Sequence, residues 1–160
     1  MTALDSLYQE LILDHSKRPI GKGELEAPEG ASVASHHEFN PSCGDELTMS
    51  IAVDPETGRI EQAAWDGQGC SISMASASIL SQLLRDETLT MGEAQLRIDA
   101  FREMIQSRGE NEPDEELLGD AVALQGVAKF VMRVKCAMLG WVALEADMRQ
   151  IEAVNGTATV

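Results

Sequence analysis

Residues 46–53 read ELTMSIAV, and this stretch has the clearest β-strand pattern in the chain. Its apolar residues alternate with polar or small ones, and a period of two places them on one face of a strand. Turn-forming residues flank the stretch, NPSCGD at 40–45 and DPETG at 54–58. Strands are also predicted at 33–39 and 59–65, so the pattern indicates an antiparallel sheet of about three strands.

Helical patterns surround the predicted sheet. Before it, the apolar residues at 4–12 share one face of a short helix. After it, helical spacing begins at Ile72. Thr90 and Glu93 have the spacing of a capping box, which predicts the start of another helix. Gly109 is expected to end that helix.

The remaining segments complete a prediction of fold class. The acidic run at 110–116 is expected to be a solvated loop, and a last helix is predicted over about 127–148. A helix, then strands, then several helices indicate an α+β fold. We expect one domain at 1–150 and a flexible tail at 151–160.

Composition and charge limit the function classes. The chain has 160 residues, with 12 Lys and Arg against 27 Asp and Glu, which gives a formal net charge of −15. Nucleic acids and anionic membranes attract basic surfaces, so neither is an expected partner. No targeting segment is visible at the N-terminus. The odd number of cysteines, 3, is a poor disulfide framework and indicates a reduced, cytoplasmic protein.

Two of the cysteines lie in distinctive local contexts. Cys43 lies in the predicted turn after the first strand, and Cys70 follows Gly67-Gln68-Gly69 at the predicted start of a helix. A thiol at a helix N-terminus meets unpaired N–H groups, which stabilise its thiolate. The two glycines are expected to leave the approach to that sulfur open.

The third cysteine, Cys136, is expected in the last helix. At about 100° per residue, it lies about 200° from Val134, which belongs to the apolar stripe of that helix. A cysteine that serves only as a small apolar residue should lie on the stripe. Lys129 and Arg133 lie on the same side as Cys136, and nearby cations favour a thiolate. These positions assume one straight helix.

A carboxylate near the first cysteine suggests a metal site. Asp45 lies two residues after Cys43, and three thiolates with one carboxylate make the four ligands that tetrahedral Zn²⁺ takes. The spacing is not that of a zinc finger, because the chain has no Cys-x-x-Cys pair. On spacing alone, three unrelated cysteines in a reduced protein remain the alternative.

With these residues identified, the chain resembles the SufU/IscU family of iron–sulfur cluster assembly proteins over about residues 4–148. Lys135, where the IscU branch has His, and extra sequence at 99–125 place it in the SufU branch. Val131 departs from the proline that is usual there. The matching segments are LY at 7–8, His15, Pro19, NPSCGD at 40–45, GQGCSIS at 67–73, QGVAKF at 125–130 and RVKCA at 133–137.

The resemblance implies an α+β fold with the three cysteines at one end, and a zinc-dependent sulfurtransferase. Zn²⁺ would be bound by Cys43, Asp45, Cys70 and Cys136. Cys43 matches the residue that accepts persulfide sulfur from a PLP-dependent cysteine desulfurase of the SufS type, for transfer to downstream Suf cluster-assembly proteins. As a separate hypothesis, Arg133 holds Asp45 or stabilises the freed thiolate.

Two other functions stay open at this point. The same four side chains could hold iron or a [2Fe–2S] cluster in a non-catalytic scaffold, although Lys135 in place of His argues mildly against it. A purely structural zinc domain is the other possibility. His36 and His37 are adjacent on a predicted strand and so face opposite ways, which favours solvated or packed roles. His15 is expected to be structural or a helix cap.

Overall fold

The structure is a computed structural model that describes residues 3–108, 110 and 112–159. It has the predicted α+β fold, with a sheet of three antiparallel strands and several helices. Gly109, the expected helix end, lies outside the described residues. The elements are α1 Ala3–Lys17, β1 Ser32–Asn40, β2 Asp45–Val53, β3 Ile60–Gln68, α2 Ser71–Glu87, α3 Met91–Gln106, α4 Glu115–Leu118, a 3-10 helix at Gly119–Lys129, and α5 Val131–Thr159.

The central strand β2 pairs with β1 on one side and with β3 on the other. The side chains of Leu47, Met49 and Ile51 are fully buried, as the alternating pattern predicts. The β1–β2 ladder ends at the pair Asn40 and Asp45. A tight turn therefore follows Asn40, and Asp45 is the first residue of the returning strand.

Helix α5 is the centre of the helical layer, since it packs on β1 and β2 and also on α2 and α3. The stacked rings of Phe101 and Trp141, with centroids 4.0 Å apart, join α3 to α5. The predicted capping box of α3 is confirmed: Thr90 Oγ1 accepts from Glu93 N at 3.2 Å, and Glu93 Oε1 accepts from Thr90 N at 3.0 Å. No helix in the described ranges is long and apolar enough to cross a membrane.

The end of the chain differs from the prediction. Residues 119–129 form a 3-10 helix, and Phe130 then adopts an extended conformation, with φ −114° and ψ 95°. An extended residue interrupts the helical hydrogen bonds, so α5 begins only at Val131 and the prediction of one helix from about residue 127 is wrong at its start. Lys129 is therefore not on the same helix as Cys136.

Two smaller points concern the predicted loop and tail. The acidic segment is not all loop, because Asp114 caps α4: its Oδ1 accepts from Glu116 N at 3.0 Å and from Leu117 N at 3.3 Å. Helix α5 runs to Thr159 and buries Ile151. The division into a domain at 1–150 and a flexible tail stays a prediction.

Candidate metal centre

Four segments bring the sequence-predicted ligands together at one end of the sheet. Cys43 lies in the β1–β2 turn, Asp45 begins β2, Cys70 is the N-cap of α2, and Cys136 lies near the start of α5. The ligand atoms of Cys43, Asp45 and Cys136 all lie within 4.8 Å of one another. Cys43 Sγ is 3.1 Å from Cys136 Sγ, and Cys70 Sγ is 3.4 Å from Asp45 Oδ2.

The β1–β2 turn is built around Asn40. Its carbonyl oxygen accepts from Cys43 N at 3.3 Å and from Gly44 N at 2.9 Å. Its side-chain Oδ1 accepts from Ser42 N at 3.2 Å, which is a local turn bond typical of Asn. Gly44 has φ +72°, a left-handed conformation that glycine adopts without strain. The turn leaves Cys43 exposed while the Asp45 side chain is buried.

Gly69 allows the start of α2 to approach Asp45. A Cβ atom at position 69 would lie 2.7 Å from Asp45 Cγ and 2.6 Å from Ser73 Oγ, so a side chain there would displace its neighbours. The backbone N–H of Cys70 donates to Asp45 Oδ1 at 3.2 Å. The glycine thus makes room for Asp45, a different reason from the open approach to the sulfur that the sequence suggested.

The site gathers acidic groups in a partly buried place. Asp45 and Cys136 are buried, Cys70 is half-buried and Cys43 is exposed. Burial, followed by the neighbouring Cys43, Asp45 and Cys70, raises the pKa of the Cys136 thiol far above its ordinary value. Thiolates and a carboxylate this close repel one another unless a cation balances them. Sulfur and carboxylate donors in this number are also those that Zn²⁺ takes, so the residues fit zinc.

Arg133 on α5 is a cation that interacts with these sulfurs. Its exposed guanidinium interacts with the sulfurs of Cys70 and Cys136, and this attraction raises the pKa of Arg133. A guanidinium has only hydrogen-bond donors, so it cannot bind a metal ion in place of a thiolate. It can still stabilise a nearby thiolate through its positive charge. The two sulfurs beside it are those of Cys70 and Cys136, so its role toward the freed Cys43 thiolate or Asp45 stays a prediction.

Asn40 is a site residue that sequence reasoning missed. Its buried Nδ2 donates to Cys43 Sγ at 3.1 Å and lies 3.9 Å from Cys136 Sγ. Ser73 was also missed: its Oγ lies 3.7 Å from Cys70 Sγ and donates to the Cys70 carbonyl at 3.1 Å. The sequence signals for Asn40 were its turn propensity and its place in the segment NPSCGD at 40–45, and neither reveals a bond to a sulfur.

The histidines lie in other surroundings. His15 Nδ1 is 2.7 Å from the buried Ser78 Oγ, His36 Nε2 is 2.8 Å from Glu38 Oε1, and His37 Nε2 is 3.7 Å from Glu46 Oε2. Within the part of the chain that the structure describes, the metal-ligand group contains no histidine. His15 is buried, His36 is half-buried and His37 is exposed.

The chain is similar to known proteins over most of its length. A family model described as the NifU-like N-terminal domain matches residues 7–137. The zinc-dependent sulfurtransferase SufU of Bacillus subtilis (strain 168) is 40% identical over 152 residues, which cover 95% of this chain and 96% of that protein. The iron–sulfur cluster assembly scaffold protein IscU of Streptococcus pyogenes serotype M1 is 36% identical over 150 residues, 94% of this chain and 87% of that protein.

A solved structure has a fold similar to that of this chain. It is a protein of Fervidobacterium islandicum AW-1, described as an iron–sulfur cluster assembly scaffold for the SUF system. It superposes with a TM-score of 0.70 at 31% identity, and the match covers 89% of this chain and 97% of that one. The family match includes all four residues of the candidate metal centre, Cys43, Asp45, Cys70 and Cys136.

Proposed function

The chain belongs to the family of the NifU-like N-terminal domain, which includes the SufU and IscU proteins of iron–sulfur cluster assembly, and we propose that it is a zinc-dependent sulfurtransferase. It accepts persulfide sulfur from a PLP-dependent cysteine desulfurase of the SufS type and passes it to downstream Suf cluster-assembly proteins. The observation that carries this proposal is the exposed Cys43 sulfur beside a buried set of metal-binding groups.

The transfer is a thiol–persulfide exchange at Cys43. The Cys43 thiolate attacks the outer sulfur of the persulfide on the desulfurase, the S–S bond of that persulfide breaks, and the desulfurase cysteine leaves as a thiolate. Cys43 then carries the persulfide, and the exchange needs no oxidant. Asn40 Nδ2, 3.1 Å from Cys43 Sγ, donates a hydrogen bond that stabilises the attacking thiolate.

The proposed zinc ligands are Cys43, Asp45, Cys70 and Cys136. When bound there, Zn²⁺ supplies the positive charge that keeps thiols deprotonated at neutral pH. Asn40 and Arg133 complete the surroundings of the sulfurs from the protein side, one by a hydrogen bond and the other by charge. We propose that Arg133 supports sulfur acceptance by stabilising the Cys43 thiolate when it reacts.

A [2Fe–2S] scaffold is the second candidate function. The observation in its favour is the name of the Streptococcus pyogenes relative, a cluster assembly scaffold protein that is 36% identical to this chain. Three thiolates and a carboxylate can hold such a cluster or iron at the same site. Lys135 directly before Cys136 argues mildly for the sulfurtransferase.

The test combines the purified chain with a SufS-type desulfurase and cysteine. We expect faster alanine formation, with a persulfide on Cys43 detected by mass spectrometry, and loss of the stimulation when a chelator removes zinc. C43S should reduce both signals to background, because the attacking sulfur is absent. R133A should reduce sulfur acceptance, whereas R149A, which alters an exposed arginine farther along α5, should not.

Three results would contradict the proposal. Stimulation that persists in C43S would exclude Cys43 as the acceptor. Unchanged sulfur acceptance and zinc content in R133A would remove the role of Arg133. Anaerobic addition of iron and sulfide that gives a stable cluster spectrum, in protein that does not stimulate the desulfurase, would establish the scaffold instead.

A further inference from the structure

The sulfurs of Cys43 and Cys136 are close enough to react with each other. Their Sγ atoms lie 3.1 Å apart, within the range of about 3–3.5 Å that characterises a near-attack arrangement. The two thiols differ in access, because Cys43 is exposed and Cys136 is fully buried. A donor protein can therefore reach Cys43 but not Cys136, while Cys136 can reach Cys43 from inside.

From this geometry we propose a further activity: Cys136 resolves a persulfide on Cys43, releasing hydrosulfide and leaving a Cys43–Cys136 disulfide. The inference rests on the proposed function for the formation of that persulfide. In this additional reaction the chain releases the sulfur as hydrosulfide, besides transferring persulfide sulfur to another protein.

The step balances within the protein. The Cys136 sulfur loses its proton as it attacks Sγ of Cys43, which is the inner sulfur of the persulfide, and a new S–S bond forms between the two cysteines. The bond between the inner and outer sulfurs breaks, and the outer sulfur leaves with the electron pair as hydrosulfide. The outer sulfur is reduced, and the two cysteine thiols together are oxidised to the disulfide. No other reductant takes part.

The contacts around the sulfurs favour Cys136 over Cys70 as the resolving thiol. Cys70 Sγ faces Asp45 Oδ2 at 3.4 Å and Ser73 Oγ at 3.7 Å. By contrast, one amide lies beside both reacting sulfurs, because Asn40 Nδ2 is 3.1 Å from Cys43 Sγ and 3.9 Å from Cys136 Sγ. The same side chain thus orients the attacked and the attacking sulfur.

Closing the disulfide needs only a small displacement. A disulfide has an S–S length of about 2.05 Å, so the two sulfurs must approach by roughly 1 Å. Cys43 lies in an exposed turn, and the adjacent Gly44 has no atoms within 4 Å of its Cβ position. Cys136 lies on the long helix α5 in the core. The turn therefore makes most of this movement, because little packing opposes it there.

The test starts from the full-length chain loaded with glutathione persulfide, desalted and kept anaerobic without reductant. In the native protein we expect release of about one hydrosulfide per loaded chain, together with a mass change from an added sulfur atom to a loss of two hydrogens. Peptide mapping should identify the Cys43–Cys136 disulfide. In C136S the persulfide should persist about tenfold longer, because the thiol in contact with the inner sulfur is absent.

The matched control is C70S, which also removes one of the proposed zinc ligands but leaves Cys136 in place. Its mapped disulfide should still join Cys43 to Cys136, whereas A153S, at an exposed position farther along α5, should release hydrosulfide at the rate of the native protein. A persulfide on Cys43 that is stable in the native chain, or equal release from C136S, would overturn the inference and leave the proposed function intact. Failure to form any persulfide on Cys43, from glutathione persulfide or from a desulfurase, would instead contradict the proposed function.

Discussion

At the scale of single residues, Asp147 on α5 is an acidic side chain in an unfavourable place. It is fully buried, and among the described residues neither of its carboxylate oxygens has a hydrogen-bond partner. Burial raises the pKa of Asp147 from 3.8 to about 8. The folded state therefore binds this proton more tightly than the unfolded chain does, so the contribution of Asp147 to stability falls as pH rises from about 4 through about 8.

Substitution of this residue should flatten the pH dependence of stability. The slope attributable to one such group is about 1.4 kcal/mol per pH unit. D147N cannot ionise, so its free energy of unfolding should exceed that of the native chain by an amount that grows with pH and levels off above about pH 8. Urea titrations of both proteins across this range measure the difference.

A control for this prediction is D86N, which alters an exposed aspartate on α2. Its pH profile should follow that of the native protein. If the difference between D147N and the native chain does not change with pH, Asp147 has a partner that neutralises its charge, and the explanation from burial is wrong.

At the scale of elements, the junction between β3 and α2 determines whether Asp45 can face the cysteines. Gly69 lies at this junction, and a Cβ there would come within 2.7 Å of Asp45 Cγ. We expect G69A to fold but to displace Asp45, which lowers zinc affinity by about tenfold, as changes around metal ligands commonly do. Metal analysis and competition with a chromogenic chelator measure this effect.

The matched variant is G92A, at a glycine in the first turn of α3 with open space around its Cβ position. Alanine is the better helix former, so this change should be neutral or slightly stabilising, with unchanged zinc content. Equal zinc affinity in G69A and the native protein would show that the Asp45 side chain is not constrained by this junction.

The start of α5 shows why local patterns could not fully predict the elements. The apolar spacing continues from Val127 into Val131 and Val134, so periodicity alone extended the helix through this region. In the structure the break occurs at Phe130, which is extended. A phenylalanine can adopt this conformation, but nothing in its residue type requires it. The capping box at Thr90 was predictable because both of its bonds lie within one turn of helix.

At the scale of the whole molecule, the sheet was predictable from sequence and the site only partly so. The alternation in β2 and the turns around it define three strands through local rules. The approach of Cys136 to Cys43 depends on how α5 packs across β1 and β2, which no local pattern encodes. Spacing left a shared site open, and the ligand set came from the family resemblance.

The charge of the whole chain predicts its response to salt. With 27 acidic and 12 basic side chains, the net charge is −15, and like charges are closer together in the folded state than in the unfolded chain. Salt screens this repulsion over a Debye length of about 10 Å at 0.1 M. Salt also weakens exposed ion pairs such as Arg18–Asp14, but such pairs contribute only about 0–1 kcal/mol each.

Repulsion should therefore outweigh the ion pairs, and we expect the urea midpoint of unfolding to rise as sodium chloride increases from about 0.01 M to about 0.2 M. Potassium chloride should act equally, because screening depends on ionic strength and not on the identity of the cation. A midpoint that falls with salt would mean that local ion pairs stabilise the fold more than the excess of acidic side chains destabilises it. Those pairs include Glu145 on α5 with Arg102 on α3 and Arg149 on α5.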